Sequence, residues 1–279
     1  MTSPIVFREP LYTTQFSPLQ LRPRALLDLA SNGLARCLAE HLVPISELVH
    51  QHDTAIVVRT VHLDYLAPDL RFADASWLGI RAQMTASETG EWLGVTVDYR
   101  AGHRPAARAR LILRVLTVAD PDSLAAQPGR LPDYLLVRFP TDQRRPHDEF
   151  RDRARIEQPF ETGPELLVPQ EWETTLTRSH CEVADQWSFF EMVELAATAR
   201  ERLFDIPDLP ADARHQAVGA PVRRIIASFQ RPMFVFDRCR TLTRAHRTST
   251  GNDAVFEHAI HAATGDKPHL RVWELLDAV

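Results

Sequence analysis

A chain of 279 residues with 44% apolar side chains has the composition of a globular protein and the length for two domains, each closing its own core. Acidic residues (37) outnumber basic ones (32) for a net charge of −5, which excludes a general nucleic-acid footprint, and no run of about 18 apolar residues is present to span a membrane. Cys37, Cys181 and Cys239 are too few and too widely spaced for a disulfide framework or a zinc site, and Met1 to Arg8 has no basic region ahead of a long apolar core, so a reducing cytoplasm is the expected compartment.

From the amino end, Leu11 to Leu21 reads as a strand and Pro23 as a first-turn residue of the helix that follows. Leu27, Ala30, Leu34, Cys37 and Leu38 recur at the three-and-four spacing of one helix face. Val57, Val61, Leu63 and Tyr65 alternate with Thr60, His62 and Asp64, the period of a strand covered on one side. Strand-like runs continue over Trp77 to Met84, Trp92 to Tyr99 and Ala107 to Val118. Residues 119–171 are rich in proline and charge, yet apolar around Tyr134-Leu-Leu-Val-Arg-Phe139, which predicts an ordered connector packed over the sheets. Its Arg144, Arg145, Arg151, Arg153 and Arg155 are interleaved with Asp148, Glu149 and Asp152, the pattern of a solvated helix more than of a phosphate site.

Beyond the connector the order repeats. Trp172 to Val183 reads as a strand and Gln186 to Phe204 as a helix apolar on most sides, which predicts burial nearly all round. Four strands follow, over Val222 to Ser228, Phe234 to His246, Ala254 to Ala263 and His269 to Leu276. Tyr65-Leu-Ala-Pro68 recurs as Phe229-Gln-Arg-Pro232, 164 residues on, and each copy has an acid past its proline, Asp74 and Asp237. The helical stretch from Asp28 to Arg36 likewise resembles Glu194 to Arg202. Two helix-then-sheet units follow, over 1–118 and 172–279, of the α+β class.

Leu63-Asp-Tyr-Leu-Ala-Pro-Asp-Leu-Arg-Phe-Ala-Asp74 and Ser228-Phe-Gln-Arg-Pro-Met-Phe-Val-Phe-Asp237 resemble the second strand of a hotdog unit and the turn into its third. The duplicated chain resembles the double hotdog proteins of the thioesterase and dehydratase superfamily. That resemblance implies two tandem units, each a curled antiparallel sheet around one long helix. It implies an acyl thioester of coenzyme A or an acyl carrier protein as substrate, a site where the units meet beside the amino end of a central helix, and no metal or redox cofactor, coenzyme A or phosphopantetheine being part of the substrate. Hydrolysis is the leading reaction. An acyltransferase or decarboxylase with Tyr65 as the acting residue, a dehydratase-like biosynthetic enzyme, and a non-catalytic acyl-binding or scaffold protein are the alternatives. The dehydratase pattern His-x-x-x-Gly-x-x-x-x-Pro is absent from both units. Neither nucleic acid nor membrane is an expected partner, and a monomer and a homodimer both fit, since a duplicated chain completes what single units achieve by pairing.

The spacing from Arg178 to Asp185 is similar to that between the arginine and catalytic aspartate of small acyl-CoA thioesterases, which implies Asp185 as the acid. Those enzymes follow it with a Gly-His-Val-Asn-like loop, where this chain has Gln186-Trp-Ser-Phe. A helix-capping role is the other reading of Asp185. Glu194 lies mid-helix among Val193, Leu195 and Ala196, where an unpaired carboxylate is costly, so either an arginine holds it or it is a base with a raised pKa. Asp28, its counterpart, poses the same choice. Ser188-x-x-Glu191 matches a capping box, with a catalytic Glu191 as the alternative. Tyr65 donates to a substrate oxygen or packs as Phe229 does. Asn32, Trp187 and Ser188 complete the substrate-binding candidates. His180 and Cys181, adjacent on a strand, face opposite ways and make no Cys-His pair, and His103, His246, His258 and His261 show no metal-ligand spacing.

Overall fold

The computed structural model describes residues 3–120, 125–208, 211–249, 251 and 253–277. The first unit comprises β1 (Ile5–Pro10), α1 (Pro23–His41), α2 (Ile45–His52), β2 (Thr54–Tyr65), β3 (Trp77–Ser87), β4 (Trp92–Ala101) and β5 (Arg104–Asp120). The connector contributes β6 (Ala125–Pro128), α3 (Asp133–Leu136), β7 (Arg144–Arg145) and α4 (His147–Ala154). The second unit comprises β8 (Thr162–Thr175), α5 (Phe189–Glu201), α6 (Ala211–Gly219), β9 (Val222–Phe229), β10 (Arg238–Thr248), β11 (Ala254–Ala262) and β12 (Leu270–Leu276).

All the long strands join one sheet in the order β1-β3-β4-β5-β2-β9-β12-β11-β10-β8, with every pairing along that path antiparallel. The order reads the same from either end once β1 is matched to β8, β3 to β10, β4 to β11, β5 to β12 and β2 to β9. The two units therefore meet at β2 and β9, paired from Thr60 opposite Ser228 to Asp64 opposite Arg224. Inward side chains alternate along each strand, as Val61, Leu63 and Tyr65 do on β2, and the sheet curls around α1 and α5. This is the double hotdog architecture.

The duplication extends to turns. Arg71 N–H donates to Asp74 Oδ2 at 2.7 Å, and Phe234 N–H to Asp237 Oδ2 at 2.8 Å, so the acid past each proline closes the same turn. Ahead of each helix, a short 3-10 turn (Thr13–Gln15, Arg178–His180) leads to a single bridge, Phe16 with Leu21 and Cys181 with Trp187.

Those approaches differ from the sequence reading. The first strand is Ile5–Pro10, not Leu11 to Leu21, and β8 starts at Thr162, ten residues ahead of Trp172. Pro164 and Pro169 obscure β8, but among the described residues it is an edge strand paired only with β10, where proline costs little. Nor is α5 buried all round: Glu191 and Glu194 are partly exposed toward α1. The connector is ordered where it is described. Leu131, Leu135, Phe139 and Phe150 are buried, and a Cβ at Gly94 of β4 would stand 3.0 Å from the Phe150 ring. That position admits α4 against the sheet because it is glycine.

Candidate active site at the unit junction

Helices α1 and α5 face each other near their amino ends. Arg24 of α1 donates from Nε and Nη2 to Glu191 Oε1 at 2.9 and 2.5 Å, and Arg22 Nη1 stands 3.6 Å from Glu194 Oε1. The hydrogen bond that Arg24 donates to Glu191 raises the Arg24 pKa. Burial pushes the Glu194 carboxyl above the usual carboxylate range, with Arg22 pulling against it. Glu191 is thus spent on a cross-unit ion pair, while Glu194 is only loosely held.

At the amino end of α1 the first unit is closed. Arg22 occupies the N-cap. The Tyr65 hydroxyl donates to the Leu21 carbonyl at 2.7 Å, and burial holds its pKa far above the phenol range, so its one proton stays on that bond. Gln20 ties this end to the second unit, accepting from Val222 N–H at 2.5 Å and donating to Val222 O at 3.3 Å. Asn32 Oδ1 accepts from Arg36 Nε at 2.8 Å, and Asp28 is exposed.

At the amino end of α5 the arrangement differs. Asp185 sits in an exposed turn with φ 52°, its N–H bonded to Glu182 O and its carbonyl accepting from Val235 N–H, so it does not cap the helix. The N-cap is Ser188, in extended backbone, and its hydroxyl makes no cap bond. It is 3% exposed and has no partner. The Ser188-x-x-Glu191 box does not form because Arg24 takes the glutamate. Beside Ser188, the buried Trp187 meets Phe229 and His269 edge-on, at ring distances of 6.2 and 6.3 Å. His269 Nδ1 lies 3.0 Å from Pro232 O; since a carbonyl only accepts, Nδ1 is the donor, and in the neutral ring Nε2 is the nitrogen with the lone pair.

The junction therefore gathers Ser188, Trp187, Glu191 and Glu194 with Asp28 and Arg24, leaves Asn32 bonded to Arg36, and holds Asp185 by its backbone in a turn that exposes the carboxylate. His269 was not among the residues expected from sequence. Its one sequence-level signal is an offset of 163 residues, one short of the Tyr65–Phe229 offset, which sets it against Ala106 in the first unit. The first N–H groups of α5 have no intrahelical acceptor, and with the Ser188 hydroxyl they form a donor cluster suited to a carbonyl oxygen that gains negative charge.

Over nearly its whole length the chain is similar to a Lactobacillus plantarum structure assigned as an oleoyl thioesterase, with a TM-score of 0.71 at 10% identity, covering 99% of this chain and 97% of that one. It is also similar to the 12:0-ACP thioesterase of Umbellularia californica (TM-score 0.64, 14% identity, 98% and 94% covered). An acyl-ACP thioesterase from Bacteroides thetaiotaomicron gives 0.60 at 10% identity, with 98% of each chain covered. No family model and no curated protein matches the sequence. At these identities the likeness establishes the fold, two tandem hotdog units in one chain. Among the described residues no helix is long and apolar enough to cross a membrane.

Proposed function

We propose that the protein hydrolyses an acyl thioester carried on coenzyme A or an acyl carrier protein, at the amino end of α5. The observation that carries this reading is the buried, unpartnered Ser188 hydroxyl at that helix end, next in the chain to Trp187, whose ring meets the His269 ring at 6.3 Å. The thioester carbonyl accepts from the first N–H groups of α5 and from the Ser188 hydroxyl. His269 Nε2 takes a proton from water as the oxygen attacks the carbonyl carbon. The tetrahedral intermediate then collapses with cleavage of the C–S bond, and the imidazolium returns its proton to the thiolate, giving a carboxylic acid and a free thiol. Every group in this scheme belongs to the chain, so the reading requires no metal or redox cofactor. The similarity to three proteins named as thioesterases, two of them for acyl-ACP, supports the reaction and the carrier class.

One observation favours a second reading, an acyl-binding protein without turnover: Glu191 and Glu194 of α5 both face arginines from the start of α1, Glu191 in a close ion pair with Arg24 and Glu194 3.6 Å from Arg22. Thiol release from acyl-CoA and acyl-carrier-protein thioesters separates the two. Turnover that falls when His269 is replaced by alanine supports hydrolysis, and binding without release supports the second reading. The decarboxylase alternative needs a free Tyr65 proton, which the bond to Leu21 already uses.

A further inference from the structure

Inside the second unit, between α5 and the sheet, four polar side chains form one chain of contacts. Arg200 of α5 donates from Nε to Glu274 Oε2 at 2.7 Å and from Nη1 to the Ala217 carbonyl. His258 Nε2 lies 3.2 Å from the same Glu274 oxygen, and its Nδ1 lies 2.9 Å from the Thr243 hydroxyl. Since the carboxylate accepts, His258 donates from Nε2 and accepts the Thr243 proton at Nδ1. Thr243, His258 and Glu274 are fully buried, and Arg200 is 6% exposed.

The first unit shows what the fold needs at these places. With Tyr65 matched to Phe229, the pairings of Val61 with Leu111 and of Ile225 with Glu274 set Leu111 against Glu274. One row along, where Leu63 pairs Ala109 and Ala227 pairs Val272, the pairings of Ala109 with Val97 and of Val272 with His258 set Val97 against His258, and those of Val97 with Ala82 and of His258 with Thr243 set Ala82 against Thr243. The helix offset of 166 residues sets Leu34 against Arg200. The first unit closes its core with those four apolar side chains, all buried. A buried ion pair seldom stabilises more than apolar residues of the same shape do, so the fold alone does not call for the polar set. One atom of that set is also left unpaired: Glu274 Oε1 is buried with no partner. Although burial opposes ionisation, Arg200 and His258 hold Glu274 below the usual carboxylate range, so this oxygen only accepts.

We infer that the polar set in the second unit is a recognition site for a hydroxyl group on the acyl chain, which donates to Glu274 Oε1. This rests on hydrolysis at the amino end of α5. There the carrier must stay in solvent, so the acyl chain runs the other way, into the layer between α5 and the sheet. Arg200 lies twelve residues along the helix from Ser188, roughly 18 Å of rise, which places the hydroxyl well down the chain and not beside the carbonyl. The substrate class is then a long acyl thioester hydroxylated at mid-chain or near its far end.

Dodecanoyl-CoA is compared with its mid-chain and terminal hydroxy forms, for the wild type and for the variant that installs the first unit's residues, R200L/T243A/H258V/E274L. The expected result is a preference of roughly 10- to 100-fold in kcat/KM for one hydroxy form, the discrimination that a hydrogen bond to a buried charged acceptor sustains, and its loss in the variant. Equal rates in the wild type, or a preference that survives in the variant, overturn the inference. Should the fourfold variant not fold, Glu274→Gln replaces it, and a preference unchanged in that protein is equally fatal. If the wild type hydrolyses none of the thioesters, the hydrolysis reading fails by itself, and calorimetric binding of the same compounds decides: tighter binding of a hydroxy form upholds the hydroxyl site, and equal affinities overturn it.

Discussion

His269 stands in the second unit where Ala106 stands in the first. The Ala106 carbonyl accepts the N–H groups of Leu66 and Ala67 at 2.9 and 3.0 Å, and the His269 carbonyl those of Gln230 and Arg231 at 2.7 and 3.2 Å. The backbone at this place serves the fold in both units, and only the second adds an imidazole. His269→Ala is therefore expected to fold with a melting temperature close to that of the wild type while kcat/KM for thioester hydrolysis falls about 10²- to 10⁴-fold. Thermal melting and thiol release on the same preparation check both halves.

Asp185 is a turn residue with positive φ and an exposed side chain. Asp185→Gly removes the steric cost of that conformation and is expected to leave stability within about 0.5 kcal/mol, whereas Asp185→Val costs about 1–2 kcal/mol. Urea denaturation of the two variants measures the difference.

Arg200 and Glu274 depend on each other. Arg200→Leu alone leaves a carboxylate buried without its cation and is expected to destabilise by about 3–5 kcal/mol. Equilibrium unfolding reads this directly, and the fourfold apolar variant should recover most of the loss.

Glu194 and Glu274 give opposite pH dependences. Glu274 has its pKa lowered from 4.5 to about 2, so the stability it contributes is complete above 4.5 and is lost as pH falls toward 2. Glu194 has its pKa raised above 4.5, so its contribution is complete below 4.5 and disappears as pH rises through the raised folded value. In unfolding free energies measured from about pH 3 to pH 7, the deficit of Glu274→Gln relative to wild type should shrink toward the acid end. The stability of Glu194→Gln relative to wild type should improve toward the neutral end.

Gln20 is the side chain by which the approach to α1 holds the first residue of β9. Its two bonds to Val222 are buried, and Gln20→Ala is expected to cost about 1–3 kcal/mol in the same unfolding measurement.

Much of this architecture is legible in the sequence because it is written twice. Tyr65 and Phe229 fix the alignment of the units, and Asp74 and Asp237 do the same job in the same turn. What local pattern hides is whatever depends on distant partners. His258 and Glu274 are polar residues in alternating strands, which ordinarily read as solvent-facing; Arg200, 74 residues from Glu274, makes their burial tolerable. Glu191 looked like half of a capping box, and only the approach of Arg24 across the unit junction redirects it. His269 lies at a strand end, where periodicity carries no signal.

The most direct test is a time course of free thiol from a panel of acyl-CoA and acyl-carrier-protein thioesters, for the wild type and for His269→Ala and Ser188→Ala. Hydrolysis at the amino end of α5 predicts thiol release by the wild type at a rate well above the uncatalysed one, with a loss in both folded variants. Release that is undiminished in both variants, or absent from the wild type across the panel, would contradict it.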